Sequence, residues 1–514
     1  MGISQGNRKE YSTMNTNTKK KIKKILTSRK FKYGSVAIAF TVIFCAVVIL
    51  FNAVLTVVSN YNGGFYIDLT EEKIYDLSDK TLEVLNNLDK KVEIIFCTTE
   101  DRIDDDNQFS YIKRLAQKYE TASSNISVTF KDSLKDPIYF NQFKKTSSDV
   151  ISQQSVIINC EETKQYVVYS ASKFFKYDSE TATIFAYDGE NKFTGAILQT
   201  ASTDTAKAGI ITNHGEKAPN SLALLLREQG YDVSSVDLEK ISENELFSYD
   251  LLVISNPVYD YTGIAAANEG GRNEIALLNT YLTKQFGNLM VFINSETANT
   301  SLAEFSGFLA DDWGISYTSG DILFEDAQKA IDSTGIVFFA TPSSGNTAGA
   351  KIHSSLTATA ASRAIFGQTT PLHVLFETRA DKNVSVVFET SPNAVLLRGE
   401  TAAKAASVPI MTLSTYTKMY NNEEYRANVL VCGSTYFLNQ IDNYVCSNTD
   451  VLKNALVQMG NNNILTGIDY KVVDDTALAI SMNDFKKYTV MLSTIIPLII
   501  SAVGIYVYIK RKKA

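Results

Sequence analysis

Two uncharged apolar runs, Tyr33 to Val58 and Tyr488 to Ile509, constrain this chain more than any other feature. They are 26 and 22 residues long, and each exceeds the roughly 20 residues that a helix needs to cross a bilayer. The first contains only Asn52 as a strongly polar side chain, and the second has Pro497 as its one helix-kinking residue. A soluble core helix needs one apolar stripe, whereas these runs are apolar on every face, so both are read as transmembrane helices.

The flanks orient them. Ten Lys and Arg against Glu10 alone precede Tyr33, and Lys510, Arg511, Lys512 and Lys513 follow Ile509. The whole chain is −7, so the stretch between the runs is strongly acidic. The positive-inside rule then predicts a two-pass plasma-membrane protein with both termini cytoplasmic and residues 59–487 extracytoplasmic. The first run is far longer than the apolar core of a signal peptide, and Val57-Val58-Ser59-Asn60 offers no small-x-small cleavage site, so the anchor is expected to stay uncleaved. An acidic outer region repels polyanions, which leaves nucleic acid out as a partner. The basic tail at 1–32 is accounted for by topology and by attraction to anionic lipid.

Between the runs, the periodicity predicts two α/β domains, 59–201 and 202–487, with a short tail at 510–514 after the second helix. In the first, Lys91 to Cys97 and Ile126 to Phe130 read as strands, and Asn107 to Thr121 as a helix with Ile112, Leu115 and Tyr119 on one face. Gln154 to Cys160 and Gln165 to Tyr169 read as a strand pair, with a closing helix around Phe193 to Thr200. In the second, the apolar strands Ala208 to Thr212, Leu251 to Ser255 and Leu289 to Asn294 alternate with helices at Ser221 to Gln229 and at Glu274 to Phe286, the latter ended at Gly287. Strands without polar alternation indicate a parallel sheet covered on both faces, a doubly wound arrangement. Residues 341–361, rich in Ser, Thr, Gly and Ala, read as a surface insertion, after which Asn383 to Phe388, Ala394 to Leu397 and Ala427 to Val431 return to the sheet.

In such sheets ligands sit beyond the C-terminal strand ends. The candidate crevice is therefore lined by Asn213, His214, Gly215, Glu216, Asn256 and Asn294. Asn213 to Glu216 reads first as a turn that caps the next helix, with His214 and Glu216 as a base or a ligand the alternative. His353 and His373, the other two histidines, have no evident partner. No GxSxG, HExxH, GxxxxGK[ST] or GxGxxG occurs, so no catalytic residue, metal or cofactor is expected. Asp101, Asp104, Asp105 and Asp106 lack the spacing of a Ca²⁺ loop, and Trp313 reads as core packing at a helix end. Cys432 and Cys446 are close enough in sequence to pair, but spacing alone does not bring their Cα atoms within disulfide reach.

The string Asp68-Leu69-Thr70-Glu71-Glu72-Lys73-Ile74-Tyr75-Asp76-Leu77-Ser78, continued by Asp79-Lys80-Thr81, resembles the entry sequence of the auxiliary components of ABC-type transport systems, including gliding-motility auxiliary proteins. Ser78 suits a helix cap there, and Leu82, Val84, Leu85 and Leu88 are expected to share an apolar face. Lys91 to Cys97, Gly189 to Ile197 (GENKFTGAI), Ile210 to Glu216 (IITNHGE), Asp250 to Pro257 and Asn428 to Phe437 follow that family's order, with Asn213 where the family has Gly. The resemblance implies a thioredoxin-like first domain without redox cysteines and a flavodoxin or class I amidotransferase-like second domain. It also implies a non-catalytic auxiliary subunit partnered by an ABC permease and nucleotide-binding subunits in the lipid bilayer, recognising a small ligand or surface polymer. An extracytoplasmic hydrolase or amidotransferase-like enzyme built on His214 and Glu216, or a structural or adhesive surface protein, are the alternatives.

Overall fold

The computed structural model describes residues 75–473 apart from 105, 145–149, 178–182, 204, 296–301, 319, 357, 442, 444, 462–463, 465–467 and 469, together with 43, 46, 47, 50, 509 and 510. Both apolar runs thus lie almost entirely outside the described residues, and no helix among the described residues is long and apolar enough to cross a membrane. Ile43, Ala46, Val47 and Leu50 of the first run are helical, with Ile43, Val47 and Leu50 exposed. The described residues from Tyr75 to Val473 belong to one compact unit.

The chain is α/β. Helix α1 (Asp79–Asn87) starts where the Ser78 hydroxyl accepts the Thr81 N–H, and it buries Thr81 and Leu85, followed by Leu88. Leu82, expected on that apolar face, lies a quarter turn away and is exposed. Strand β1 (Val92–Phe96) then leads to α2 (Asn107–Ala122), capped by Asp106 and burying Ile112, Leu115 and Tyr119. Strands β2 (Ile126–Phe130), β3 (Ser155–Cys160) and β4 (Gln165–Ser170) complete a sheet of order β2-β1-β3-β4, in which β1 and β2 are parallel and β3 is antiparallel to both of its neighbours. Helix α3 (Gly189–Ala201) packs on β3 and β4 and closes this core.

The second sheet has nine strands among the described residues. Its parallel part comprises β5 (Lys207–Thr212), β6 (Asp232–Asp237), β7 (Leu251–Ser255), β8 (Asn288–Phe292) and the later strand Glu423–Cys432, ordered Glu423–Cys432, β8, β7, β5, β6. Its antiparallel part adds β9 (Lys382–Glu389) and β10 (Pro409–Tyr420), and the strand Glu423–Cys432 is accordingly β11. Side chains alternate between two buried layers: Val253, Met290 and Leu430 face one, Leu252, Leu289 and Val429 the other. Helices α4 (Asn220–Glu228) and α6 (Asn448–Gln458) cover the first layer, and α5 (Glu274–Lys284) the second.

Several expectations are corrected. Helix α5 ends at Lys284 rather than at Phe286, and Phe286, not Gly287, takes the left-handed conformation, at φ 56°. Gly287 is needed for another reason: a Cβ there would lie 2.0 Å from the Tyr281 ring. Residues 341–361 are no surface insertion. Thr341–Pro342 pairs with β9, and the helix Ala348–Ser354 buries Ala350, Ile352 and His353, with Asn454 of α6 donating to the Ile352 carbonyl at 2.8 Å. Small residues are common there because the helix lies close against the sheet, and a Cβ on Gly349 would meet the Val386 carbonyl at 2.6 Å. Val395–Arg398 does not rejoin the main sheet; it pairs with Asp321–Phe324 and Thr401–Lys404. Cys432 and Cys446 are buried free thiols. Trp313 is fully buried, with the Lys382 ammonium 4.5 Å from its ring.

Substituting Gly349→Val forces a side chain against backbone, so a loss of about 1–3 kcal/mol is expected in denaturant unfolding. A surface insertion would absorb the change within about 0.5 kcal/mol.

Candidate functional site

The crevice predicted beyond the strand ends lies where the topology reverses. From β5 the chain moves to β6 on one side and then back across to β7 on the other, so the loops after β5 and β7 diverge at that point. Asn213 and Asn256, the residues after these two strands, adopt left-handed φ values of 89° and 53°. Gly215 follows at φ 77°, and a Cβ there would meet Val258 at 2.9 Å. The Val258 and Tyr259 N–H groups both donate to the His214 carbonyl, at 2.8 and 2.9 Å, and fold the loop after β7 back over the crevice.

What fills it is the protein itself. The His214 ring stacks on Tyr261, centroids 4.0 Å apart, and Tyr261 packs in turn against Phe305. His214 Nε2 lies 3.0 Å from Glu274 Oε2, and Nδ1 lies 3.4 Å from Glu216 Oε1, an ion-pair separation without hydrogen-bond geometry. Glu216 accepts the His214 backbone N–H at 2.7 Å and the Tyr261 hydroxyl at 2.6 Å, while Glu274 accepts the Thr262 N–H at 2.8 Å. Burial alone would lower the imidazole pKa; the Glu216 and Glu274 carboxylates facing its two nitrogens overcome it and push it up to about 9. Burial would raise the two carboxyls, and their bonds to His214 hold both below the usual range.

Of the six predicted residues, the structure brings Asn213, His214, Gly215 and Glu216 together with the loop that begins at Asn256. Asn294 turns to a different partner, the Thr435 hydroxyl at 2.9 Å. Asn213 is exposed and donates to Glu239 at 3.2 Å. Glu216 does not cap α4, whose cap position is Pro219. Glu274, Tyr261 and Thr262 escaped sequence reasoning: Glu274 reads as an ordinary first-turn acid of a helix, which it also is. His353 sits 3.3 Å from the Ser343 hydroxyl and His373 3.3 Å from that of Thr318. Asp104 pairs with Lys113 at 2.7 Å and Asp106 caps α2, and no cluster fit to hold a metal occurs among the described residues.

A second cluster ties the two ends of the described region together. Glu190, at the start of α3, accepts the Ser78 N–H at 2.6 Å and the Thr81 hydroxyl at 2.7 Å. Its other oxygen lies 3.2 Å from the ammonium of Lys471, which also reaches the Asp76 carbonyl. Asn191 donates to the Ile468 carbonyl at 2.7 Å, and Lys471–Val472 pairs as a strand with Ile184–Tyr187. Behind Glu190, Thr194 lies 3.0 Å from the Thr81 hydroxyl and 2.5 Å from that of Tyr119. The segment entering the module and the one leaving it therefore meet on one buried carboxylate, which burial would raise but which these donors hold below the usual range.

A family model described as a domain of unknown function (DUF7088) matches residues 71–173. No curated protein matches the chain. Among solved structures, PurLQS from Thermotoga maritima is similar at 12% identity and a TM-score of 0.25, covering 49% of this chain and 99% of that one. A glutamine amidotransferase from Thermotoga maritima is similar at 11% identity and a TM-score of 0.24, covering 51% and 96%.

Two outcomes test these clusters. The stability that His214 contributes is complete below its unfolded value near 6.5 and is lost as pH rises through about 9. Unfolding midpoints should therefore fall between those limits in the native protein and stay flat across them in His214→Gln. Glu190→Leu removes the acceptor shared by Ser78, Thr81 and Lys471, and about 3 kcal/mol should be lost in denaturant unfolding.

Proposed function

We propose that this chain is a non-catalytic, two-pass auxiliary subunit of an ABC-type transport system, with residues 59–487 outside the plasma membrane, recognising a ligand or assisting passage through a separate permease. The single observation that carries this reading is the meeting of Ser78, Thr81 and Lys471 on Glu190. Both segments that lead toward the apolar runs are pinned side by side, as a module held by two neighbouring membrane helices requires. The two strings that meet there, at Ser78 to Thr81 and at Gly189 to Ile197, are the end of the entry string that most specifically carries the resemblance to that family and one of the stretches that support it. The exposed apolar side chains of Ile43, Val47 and Leu50, at i, i+4 and i+7 of a helix, suit lipid contact.

The sheet order β2-β1-β3-β4, with only β3 running against the rest, supports a thioredoxin-like reading of the first domain. Burial pushes the Cys97 thiol at the end of β1 up to about 12, so it lacks the thiolate that redox chemistry needs. The parallel order with helices on both faces supports a flavodoxin or amidotransferase type for the second domain. His214 argues against the hydrolase alternative. Both its ring nitrogens face carboxylates, and an imidazolium so held has no lone pair with which to take a proton from a nucleophile.

The test is isolation of the full chain in mild detergent from its native membrane. Copurification with a permease and a nucleotide-binding subunit is expected, and purification alone, under conditions that keep other ABC complexes intact, would sink the reading. Reporters fused within 59–487 should behave as extracytoplasmic.

A further inference from the structure

The hairpin of β10 and β11 outgrows the sheet that it belongs to. On one side β10 pairs with β9 as far as Tyr416, and the Thr417 N–H makes a last bond to the Asp381 carbonyl at 2.9 Å. On the other side β11 pairs with β8 only from Val429 onward. Beyond those points Thr417↔Arg426, Lys418↔Tyr425, Met419↔Glu424 and Tyr420↔Glu423 continue as a two-stranded ribbon, reaching about 13 Å past the sheet. Asn421 and Asn422 close it at φ 52° and 65°, the left-handed pair that a tight two-residue hairpin turn requires. The ribbon is braced at its base, where the Phe286 ring lies 5.9 Å from that of Tyr416 and 5.1 Å from that of Tyr425.

A projecting ribbon normally carries polar residues. This one exposes 61% of Met419, 65% of Tyr420 and 36% of Tyr425. Its tip, Met419-Tyr420-Asn421-Asn422, has no charge, and behind it Lys418 and Arg426 balance Glu423 and Glu424.

The ribbon also leaves from a particular edge. Asn288, the first residue of β8, accepts from the Asn428 backbone and side chain at 3.2 and 2.9 Å, and donates to the Met459 carbonyl at 3.1 Å, where α6 gives way to the exit segment. The first domain joins the second sheet at that same edge, where the parallel strands begin. Lys192 of α3 pairs at 3.1 Å with Glu228, the last residue of α4, and Gln199 lies against Gly230 just before β6.

We infer that the ribbon tip dips into the headgroup region of the bilayer, an inference that rests on the membrane-anchored reading above. Tyr places its ring among headgroups with the hydroxyl in water, and Met buries an unbranched apolar chain. The balanced charge behind the tip fits zwitterionic headgroups and needs no anionic lipid. The ribbon would then be a third point of attachment that fixes how the second sheet stands over the membrane.

The test uses the full chain, with Cys45→Ala, reconstituted into phosphatidylcholine vesicles and carrying a fluorophore on Met419→Cys. The buried thiols Cys97, Cys160, Cys432 and Cys446 do not compete for label. Spin-labelled lipid should quench this position at least twofold more than a fluorophore on Lys240→Cys, which follows β6 at the opposite edge of the sheet. Adding Tyr420→Glu should bring the quenching down to the Lys240 level. Equal, weak quenching at both positions in chains that resist alkaline extraction would overturn the inference while leaving the anchor intact. Cross-linking from position 419 to a protein of the complex without quenching would also overturn it. Chains stripped from vesicles by alkali would remove the anchored reading, and this inference with it.

Discussion

Strands buried on both faces leave a sheet no choice about its surroundings. Leu251–Ser255 and Leu289–Phe292 have no exposed side, so helices must cover each face, and only the two ends of the strands remain open to function. The rest of the second domain follows from that constraint. One end carries the loops around His214, and the other carries the first domain, the exit segment and the projecting hairpin. The division of labour between the ends is a property of the topology before it is a property of any residue.

At the loop end, the crevice that open parallel sheets commonly offer to ligands is occupied by Tyr261 and by a histidine held between two acids. A histidine shared by two buried carboxylates is costly to assemble and stiff once assembled, because removing any one charge leaves the others uncompensated. Such a cluster fixes the path of the loop after β7. The polar seam between the domains, where Glu228 meets Lys192 and Lys173, is built differently. Its charges lie between hydrophobic cores that remain separate, one around the first sheet and one on each face of the second.

Much of this was legible in the sequence. Apolar runs of three to five residues marked β1, β3, β7 and β8, and the periodicity of Ile112, Leu115 and Tyr119 marked the buried face of α2. What escaped was whatever depends on contact between distant segments. The Ser/Thr/Gly/Ala composition of 341–361 looks like a loop because small residues are common in loops, yet here they permit close approach to β9. Gly287 looks like a helix stop, although its work is to leave room for Tyr281. Glu216 was visible as a neighbour of His214, but Glu274 lies 60 residues further on, and nothing local announces that it returns to the same imidazole. Glu190 stood in a recognised string with no role, since its partners come from the two ends of the module.

The junction at Glu190 also sets where mechanical load travels. A domain inserted between two anchors is ordinarily stretched end to end when the anchors separate, with tension passing through its sheets. Here the entering and leaving segments meet on the start of α3, and Lys471 also bonds the Asp76 carbonyl, so a pull on the two of them would be borne as shear across a few hydrogen bonds and one ion pair. The sheets beyond that junction would then be spared the strain.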